Sequence, residues 1–284
     1  MTMRRLINGT PDQVVEPADR GFLYGDGLFE TMLWSNGVIP LWTHHMERLQ
    51  DGCSRLGLTS PDEAQIAQDR EQLCQGELSG VFRLQITAGV GGRGYARPPV
   101  PKVTRVAAFT PVPRYPLAYW RDGIAVHRCR MRLSRQPLLA GLKHCNRLEY
   151  ILARGEWEDP DFVEGLLLDQ QGHVAEGVQS NTFAVVGDRL LTPALVDYGV
   201  AGVMRGYVLR LAESVGLRPQ TGRFSLGTWL QADEVFMTNS LIGIWPVRRI
   251  GDSEIPLGPV SMKLRAALLA AGIGLESILE RGVV

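Results

Sequence analysis

Apolar and polar positions along this chain switch between a period of two and a period near 3.6. Residues 28–34 and 38–41 are strand-like runs flanking Asn36-Gly37, the dipeptide that best accepts the two positive φ values of a type I′ turn, so they predict a hairpin. Behind Thr43, a residue able to cap a helix, Met46, Leu49, Cys53 and Leu56 recur at helical spacing. Glu47 and Arg48 fall off that stripe, so Arg48 points away from the centre of the buried face. Ser60-Pro61-Asp62-Glu63 predicts a second helix start, with a cap, a proline in the first turn and acids where the helix dipole favours them. Residues 81–87 and 103–110 read as strands around a glycine-rich loop at 89–94.

The densest proline run, Pro111-Val112-Pro113-Arg114-Tyr115-Pro116, is stiff and poor in ladder donors, and it predicts a linker. It divides the chain into an N-terminal α/β domain, 1–113, and a C-terminal domain, 114–284. In the second part, 124–129 reads as a strand, and Asn146-Arg147-Leu148-Glu149 has the form of a capping box opening a helix to about residue 157. An antiparallel β run follows at 162–168, 172–176 and 181–186. A helix at 203–215 ends at Gly216, a strand lies at 234–238 and a last helix at 261–271.

Composition narrows the function classes. With 45% hydrophobic and 21% charged residues and a mean hydropathy of −0.03, the 284 residues describe a globular protein. Thirty basic residues balance thirty acidic ones, so no general field draws nucleic acid or an anionic membrane, and neither is expected as a partner. No apolar run is long enough to span a bilayer and the N-terminus has no signal-like segment, so the expected location is the cytoplasm. Cys53, Cys74, Cys129 and Cys145 are widely spaced without a C-x-x-C pair, which fits reduced thiols and predicts no metal site.

Only three of the basic residues are lysines: Lys102, Lys143 and Lys263. Lys143 follows the apolar approach Leu138-Leu139-Ala140-Gly141-Leu142. Partial desolvation there would let its amine lose a proton near neutrality, as Schiff-base chemistry requires, although a solvated lysine beside a helix start fits the same residues. Lys263 lies where snorkelling to water is the default. The segment 199–205 leads a glycine loop into a helix and is a phosphate seat in principle, without Rossmann or P-loop spacing. Thr238-Asn239-Ser240, at a strand end, has the composition of a turn.

The densest polar and glycine constellation is Asp19-Arg20-Gly21-Phe22-Leu23-Tyr24-Gly25-Asp26-Gly27-Leu28-Phe29-Glu30-Thr31. Followed by Trp42-Thr43-His44-His45-Met46-Glu47-Arg48-Leu49, it resembles the class IV aminotransferases, the fold-type IV pyridoxal-phosphate enzymes. The resemblance continues in order at Lys143, at Glu176-Gly177 with Ser180-Asn181-Thr182-Phe183, at 199–205 and at Thr238-Asn239-Ser240. Within that family, Gly91-Gly92-Arg93-Gly94-Tyr95 and the stretch from Leu139 to Glu149 are similar to the aminodeoxychorismate lyases rather than to the D-amino-acid or branched-chain transaminases, which are the alternative.

The resemblance implies a two-domain α/β (α+β) fold like that of D-amino-acid aminotransferases, with a small α/β domain and a larger β-barrel-like one, usually as a homodimer. It implies pyridoxal 5′-phosphate as cofactor, and conversion of 4-amino-4-deoxychorismate to 4-aminobenzoate and pyruvate in folate biosynthesis. Carried over residue by residue, Lys143 would bear the cofactor and move the proton, and Glu176 would face the pyridine nitrogen. Arg48, the backbone at Val203 and Met204, and Thr238 would take the phosphate. Arg93, Asn239 and Tyr24 would meet the substrate. One departure is Phe22, where some of these lyases carry a threonine, so no hydroxyl at that position serves this chain.

Overall fold

In the computed structural model, residues 4–11 and 13–279 are described, and they fall into two compact units. The first comprises the chain up to Pro113 together with Leu142–Asn146. The second comprises Arg114–Gly141 and the described chain from Arg147 to Leu279. The five residues around Lys143, which lie beyond the expected boundary at 113, therefore pack with the first unit.

The first unit contains β1 (Arg4–Ile7), α1 (Arg20–Tyr24), β2 (Gly27–Ser35), α2 (Trp42–Leu56), α3 (Glu63–Cys74), β3 (Ser79–Thr87) and β4 (Thr104–Thr110). The strands form an antiparallel sheet in the order β1-β4-β3-β2. Asn36 and Gly37 take φ values of 49° and 85°, and Ser35 and Val38 exchange backbone hydrogen bonds of 2.8 and 3.1 Å, which is the type I′ geometry. The returning strand expected at 38–41 shrinks to the single bridge at Val38, because Leu41 turns into the left-handed region to start α2.

Leu41 is thus the N-cap of α2 and uses no side-chain bond, which corrects the expected Thr43 cap. Likewise Asp62, rather than Ser60, caps α3 by accepting from Ala64 N–H. Met46, Leu49 and Cys53 are buried as their spacing predicts. A Cβ on Gly52 would sit 2.8 Å from Leu28 Cδ1, so the missing side chain lets α2 lie close to β2.

The second unit contains α4 (Ala118–Arg121), β5 (Ile124–Leu133), α5 (Leu148–Arg154), β6 (Phe162–Asp169), β7 (Val174–Gly177), β8 (Asn181–Val186), β9 (Arg189–Pro193) and α6 (Val203–Ala212). A 3-10 turn then leads to β10 (Arg218–Gly222), α7 (Leu226–Leu230), β11 (Glu234–Asn239), β12 (Gly243–Ile250), β13 (Ser253–Glu254), α8 (Pro259–Ala270) and α9 (Glu276–Leu279). The sheet runs β10-β9-β8-β11-β12-β5-β6-β7, with β13 on β12. It is mixed: of the expected antiparallel run, β6 pairs with β7, but β8 pairs instead with β9 and β11, and β5 lies parallel to both β12 and β6.

Edge strand β7 is tied back to β8 by a tight turn in which Gly177 N–H donates to Ser180 O at 2.7 Å, so the sheet curls toward a barrel. Its interior is apolar, with Phe183 and Phe236 stacked at 5.0 Å. The capping box expected at 146–149 does not form. The N-cap of α5 is Arg147 without a side-chain bond, and the Glu149 carboxylate instead accepts from Ser134 N–H at 3.0 Å.

Candidate active site

In the first unit, Leu142–Asn146 runs antiparallel to β2. Phe29 N–H donates to Lys143 O at 3.0 Å and Cys145 N–H to Gly27 O at 2.9 Å. Leu142 is buried and Lys143 half-buried, with its Nζ 4.4 Å from the centre of the Phe29 ring. An amine over the face of an aromatic ring is partly desolvated while the quadrupole still favours its charge. Thr31 lies two residues along β2 and so shares the face of Phe29. Phe22 is 75% exposed on α1, so among the residues of that constellation Thr31, not the position of Phe22, offers a hydroxyl on that face.

The opposite face of β2 carries Glu30, fully buried. Arg48 on α2 grips it through Nε at 2.8 Å and a terminal nitrogen at 2.5 Å, and His45 Nδ1 lies 2.7 Å from its second oxygen. Burial works to raise the Glu30 pKa, but the Arg48 charge and the His45 hydrogen bond prevail and hold it near 2. Burial lowers the pKa of His45, so the imidazole stays neutral and donates Nδ1–H to the carboxylate. Being off the apolar stripe thus leaves Arg48 half-buried and oriented by Glu30, a partner that sequence spacing did not reveal.

The glycine loop after β3 is also built from the first unit. Arg20 is only 3% exposed, and its guanidinium reaches the carbonyls of Gly94 at 3.0 Å, Tyr95 at 2.8 Å and Ala96 at 3.3 Å, while Nε donates to Asp26 at 2.9 Å. Tyr24 lies under that guanidinium, 5.0 Å from ring centre to Cζ, and edge-on to Tyr95. Its ring is therefore engaged in packing this loop. Arg93 sits at the exposed tip.

In the second unit, β7 presents Glu176, 2% exposed. Its carboxylate accepts from Tyr150 Oη at 2.6 Å, Asn181 Nδ2 at 3.1 Å and Val200 N–H at 2.9 Å. Gly199, at a φ of 79°, is required on two counts: its backbone is left-handed, and a Cβ would come within 3.1 Å of the Glu176 carboxyl. Asn181 Nδ2 also holds Val200 O at 2.9 Å, which fixes the loop to β8. Gly202 is the N-cap of α6 and provides no side-chain cap, so the first-turn N–H groups of Val203 and Met204 have no intrahelical partner. Arg205, one residue on, is held by Thr192 Oγ1 and Pro193 O. Burial lowers its pKa, and the Glu176 charge counters that fall.

Two expected ligand residues are otherwise engaged. Thr238 is fully buried and donates its hydroxyl to Gly243 O. Asn239 Oδ1 accepts from Leu241 and Ile242 N–H, and its Nδ2 donates to Gln179 O, so its amide shapes the turn between β11 and β12. Ser240, half-buried in that turn, is the remaining hydroxyl of the motif. Tyr150, Asn181 and Arg20 were missed as functional positions. Asn181 lay inside a recognised block, but nothing in sequence spacing places a tyrosine 26 residues upstream on Glu176.

The family model described as amino-transferase class IV matches residues 27–250. An aminodeoxychorismate lyase of Vibrio harveyi is 37% identical over 92% of this chain and 98% of that protein. The crystal structure of the 4-amino-4-deoxychorismate lyase from Pseudomonas aeruginosa superposes with a TM-score of 0.90 at 42% identity, covering 94% of this chain and 98% of that one. A D-alanine aminotransferase of Bacillus licheniformis is 27% identical over 94% of this chain and 96% of its own length.

Proposed function

The chain belongs to the class IV aminotransferase family, and we propose that within it this protein is a lyase that converts 4-amino-4-deoxychorismate to 4-aminobenzoate and pyruvate. The observation that carries the choice over transamination is near full-length likeness, at 37% and 42% identity, to two proteins named for that lyase activity.

Enzymes of this family use pyridoxal 5′-phosphate, which when bound supplies an electron sink conjugated to the substrate's amine. The residues present suit that group. It calls for a primary amine, a carboxylate for its ring nitrogen and donors for its phosphate. Lys143 is half-buried against Phe29, Glu176 is buried and accepts from Tyr150 and Asn181, and α6 opens with first-turn N–H groups that no intrahelical carbonyl takes. Lys143 would bear the cofactor and Glu176 would keep the ring nitrogen protonated. Arg48, held in orientation by Glu30, and the backbone N–H groups of Val203 and Met204 would bind the phosphate, with Ser240 in place of Thr238.

The Lys143 amine then takes the proton from the amine-bearing ring carbon of the substrate. The neighbouring C–O bond breaks, the ring becomes aromatic, and the departing enol takes a proton on carbon to become pyruvate. Arg93, a planar fork donor, pairs with a substrate carboxylate. Thr31, on the face of Phe29, is placed to hydrogen-bond near the transferred proton.

Assay of purified protein with authentic substrate tests the reading, because pyruvate and 4-aminobenzoate should appear in equal amounts and Lys143→Ala should release neither. Rapid glutamate formation from D-alanine and 2-oxoglutarate, without comparable pyruvate release from 4-amino-4-deoxychorismate, would replace it with transamination. We further propose a cytoplasmic homodimer. The four cysteines are free thiols, and Leu148, Ile151 and Leu152 form an exposed apolar face on α5 suited to a second copy. No described helix is long and apolar enough to cross a membrane.

A further inference from the structure

We infer that Arg20 is a positioning residue for substrate selectivity, acting as a buried clasp that holds the loop bearing Arg93 in one conformation. The inference rests on the proposed role of Arg93 at the substrate. Three consecutive carbonyls, those of Gly94, Tyr95 and Ala96, converge on a single guanidinium. Carbonyl dipoles pointing at one spot repel each other, and such a backbone persists only around a cation with several coplanar donors. The chain enters the loop tied to the same residue, because Arg20 N–H donates to Gly89 O at 2.8 Å.

Asp26 anchors the clasp and is shared with the loop's far end. It accepts from Arg20 Nε and from Arg97 Nε, both at 2.9 Å, and from a terminal nitrogen of Arg97. Arg97 in turn donates to the carbonyls of Leu56 and Gly57, where α2 ends. Burial works to raise the Asp26 pKa, but the hydrogen bonds and charges of Arg97 and Arg20 outweigh it, so the carboxylate stays ionised between them. Both ends of the loop are therefore fixed, while the tip at Gly92, Arg93 and Gly94 stays exposed.

Arrival of a carboxylate at a tip already held in place costs little ordering entropy, which is how such a residue would act on KM without touching substrate. A lysine cannot replace it. An ammonium keeps the charge but lacks the planar fork that spans three carbonyls and Asp26 together.

The test uses full-length enzyme loaded with pyridoxal phosphate and compares wild type with Arg20→Lys. Chymotrypsin cleavage after Tyr95, whose carbonyl Arg20 holds, should be accelerated roughly tenfold or more as the loop opens. KM for 4-amino-4-deoxychorismate should rise roughly tenfold with kcat changed less than about threefold, the pattern of lost uniform binding. Affinity for the cofactor, followed by its absorbance, should be unchanged.

A pair of glycine variants repeats the test without replacing Arg20 itself. A Cβ on Gly91 would fall 2.7 Å from Arg20 Cδ, whereas one on Gly92 meets nothing within 4 Å. Gly91→Ala should therefore speed cleavage and Gly92→Ala should not. Wild-type cleavage rates in both Arg20→Lys and Gly91→Ala overturn the clasp, and an opened loop with unchanged KM overturns its role in selectivity. A wild-type enzyme that releases no pyruvate defeats the lyase reading instead, and the cleavage comparison still decides whether Arg20 holds the loop.

Discussion

Glu30 on β2 and Glu164 on β6 are equally buried carboxylates, one in each unit, and their surroundings push them in opposite directions. Glu30 meets a guanidinium and a neutral imidazole and is held near a pKa of 2. Glu164 meets neutral donors, the N–H groups of Gly165, Gln179 and Val178 and the hydroxyl of Ser180, and burial raises its pKa in spite of them. Hydrogen bonds alone do not replace the hydration of a buried charge, whereas an opposite charge does. Glu176 is the third case. Its carboxylate accepts from Tyr150, Asn181 and the Val200 backbone, and it interacts electrostatically with Arg205. Such a carboxylate suits a ring nitrogen that must remain protonated, while Glu30 serves to aim Arg48.

The sharpest way to separate these roles is Glu176→Gln. It keeps the volume and removes the charge, and kcat should fall about 10²–10³-fold, as when one preorganised electrostatic group is lost, with little change in thermal midpoint. Near-normal turnover would return Glu176 to the structural class of Glu164. Glu30→Gln should do the reverse and cost stability first, about 3–5 kcal/mol, because Arg48 is left half-buried without its counter-charge. Urea unfolding measures this, and a change within the roughly ±0.5 kcal/mol of a surface substitution would break the comparison.

The pH dependence follows with its sign fixed by the direction of each shift. Glu30 is depressed from 4.5 to about 2, so its contribution is complete above pH 4.5 and is lost as pH falls toward 2, on the order of 3 kcal/mol in all. His45, also lowered, adds a loss in the same direction beginning below pH 6.5. Glu164 is raised, so its contribution is present below pH 4.5 and fades as pH climbs through its folded value. Stability curves should accordingly show a shallower acid limb in Glu30→Gln and a weaker decline above pH 4.5 in Glu164→Gln. Parallel curves for the two variants would contradict the assignment. The smallest effect belongs to Tyr150→Phe, which deletes one hydrogen bond to Glu176. Single-turnover measurements should show roughly a three- to tenfold slower step, matching the net worth of such a bond.

Much of the scaffold was legible because its signals are local. Asn36-Gly37 specifies its turn through allowed φ values alone, and the stripe of Met46, Leu49 and Cys53 needs only the helical period. The helix caps were less legible. Thr43 and Asn146 have capping chemistry but fall inside or before their helices, where Leu41 and Arg147 take the cap positions and the paired strands set the entry. Thr238 and Asn239 were read from composition as a turn, and the turn between β11 and β12 engages both side chains, but which backbone groups they meet was not legible.

The order of residues by itself determined the Asn36-Gly37 turn and the buried stripe of α2, the scarcity of lysine that singled out Lys143, and the family pattern running through Glu176. Only the tertiary structure decided that Tyr150 lies on Glu176, that Arg48 is turned to Glu30 and that Arg20 gathers three carbonyls of a loop more than 70 residues away. Hydrogen bonds act over about 3 Å and demand alignment. Which donor meets which acceptor is therefore settled when the strands take their register and a distant segment arrives beside them.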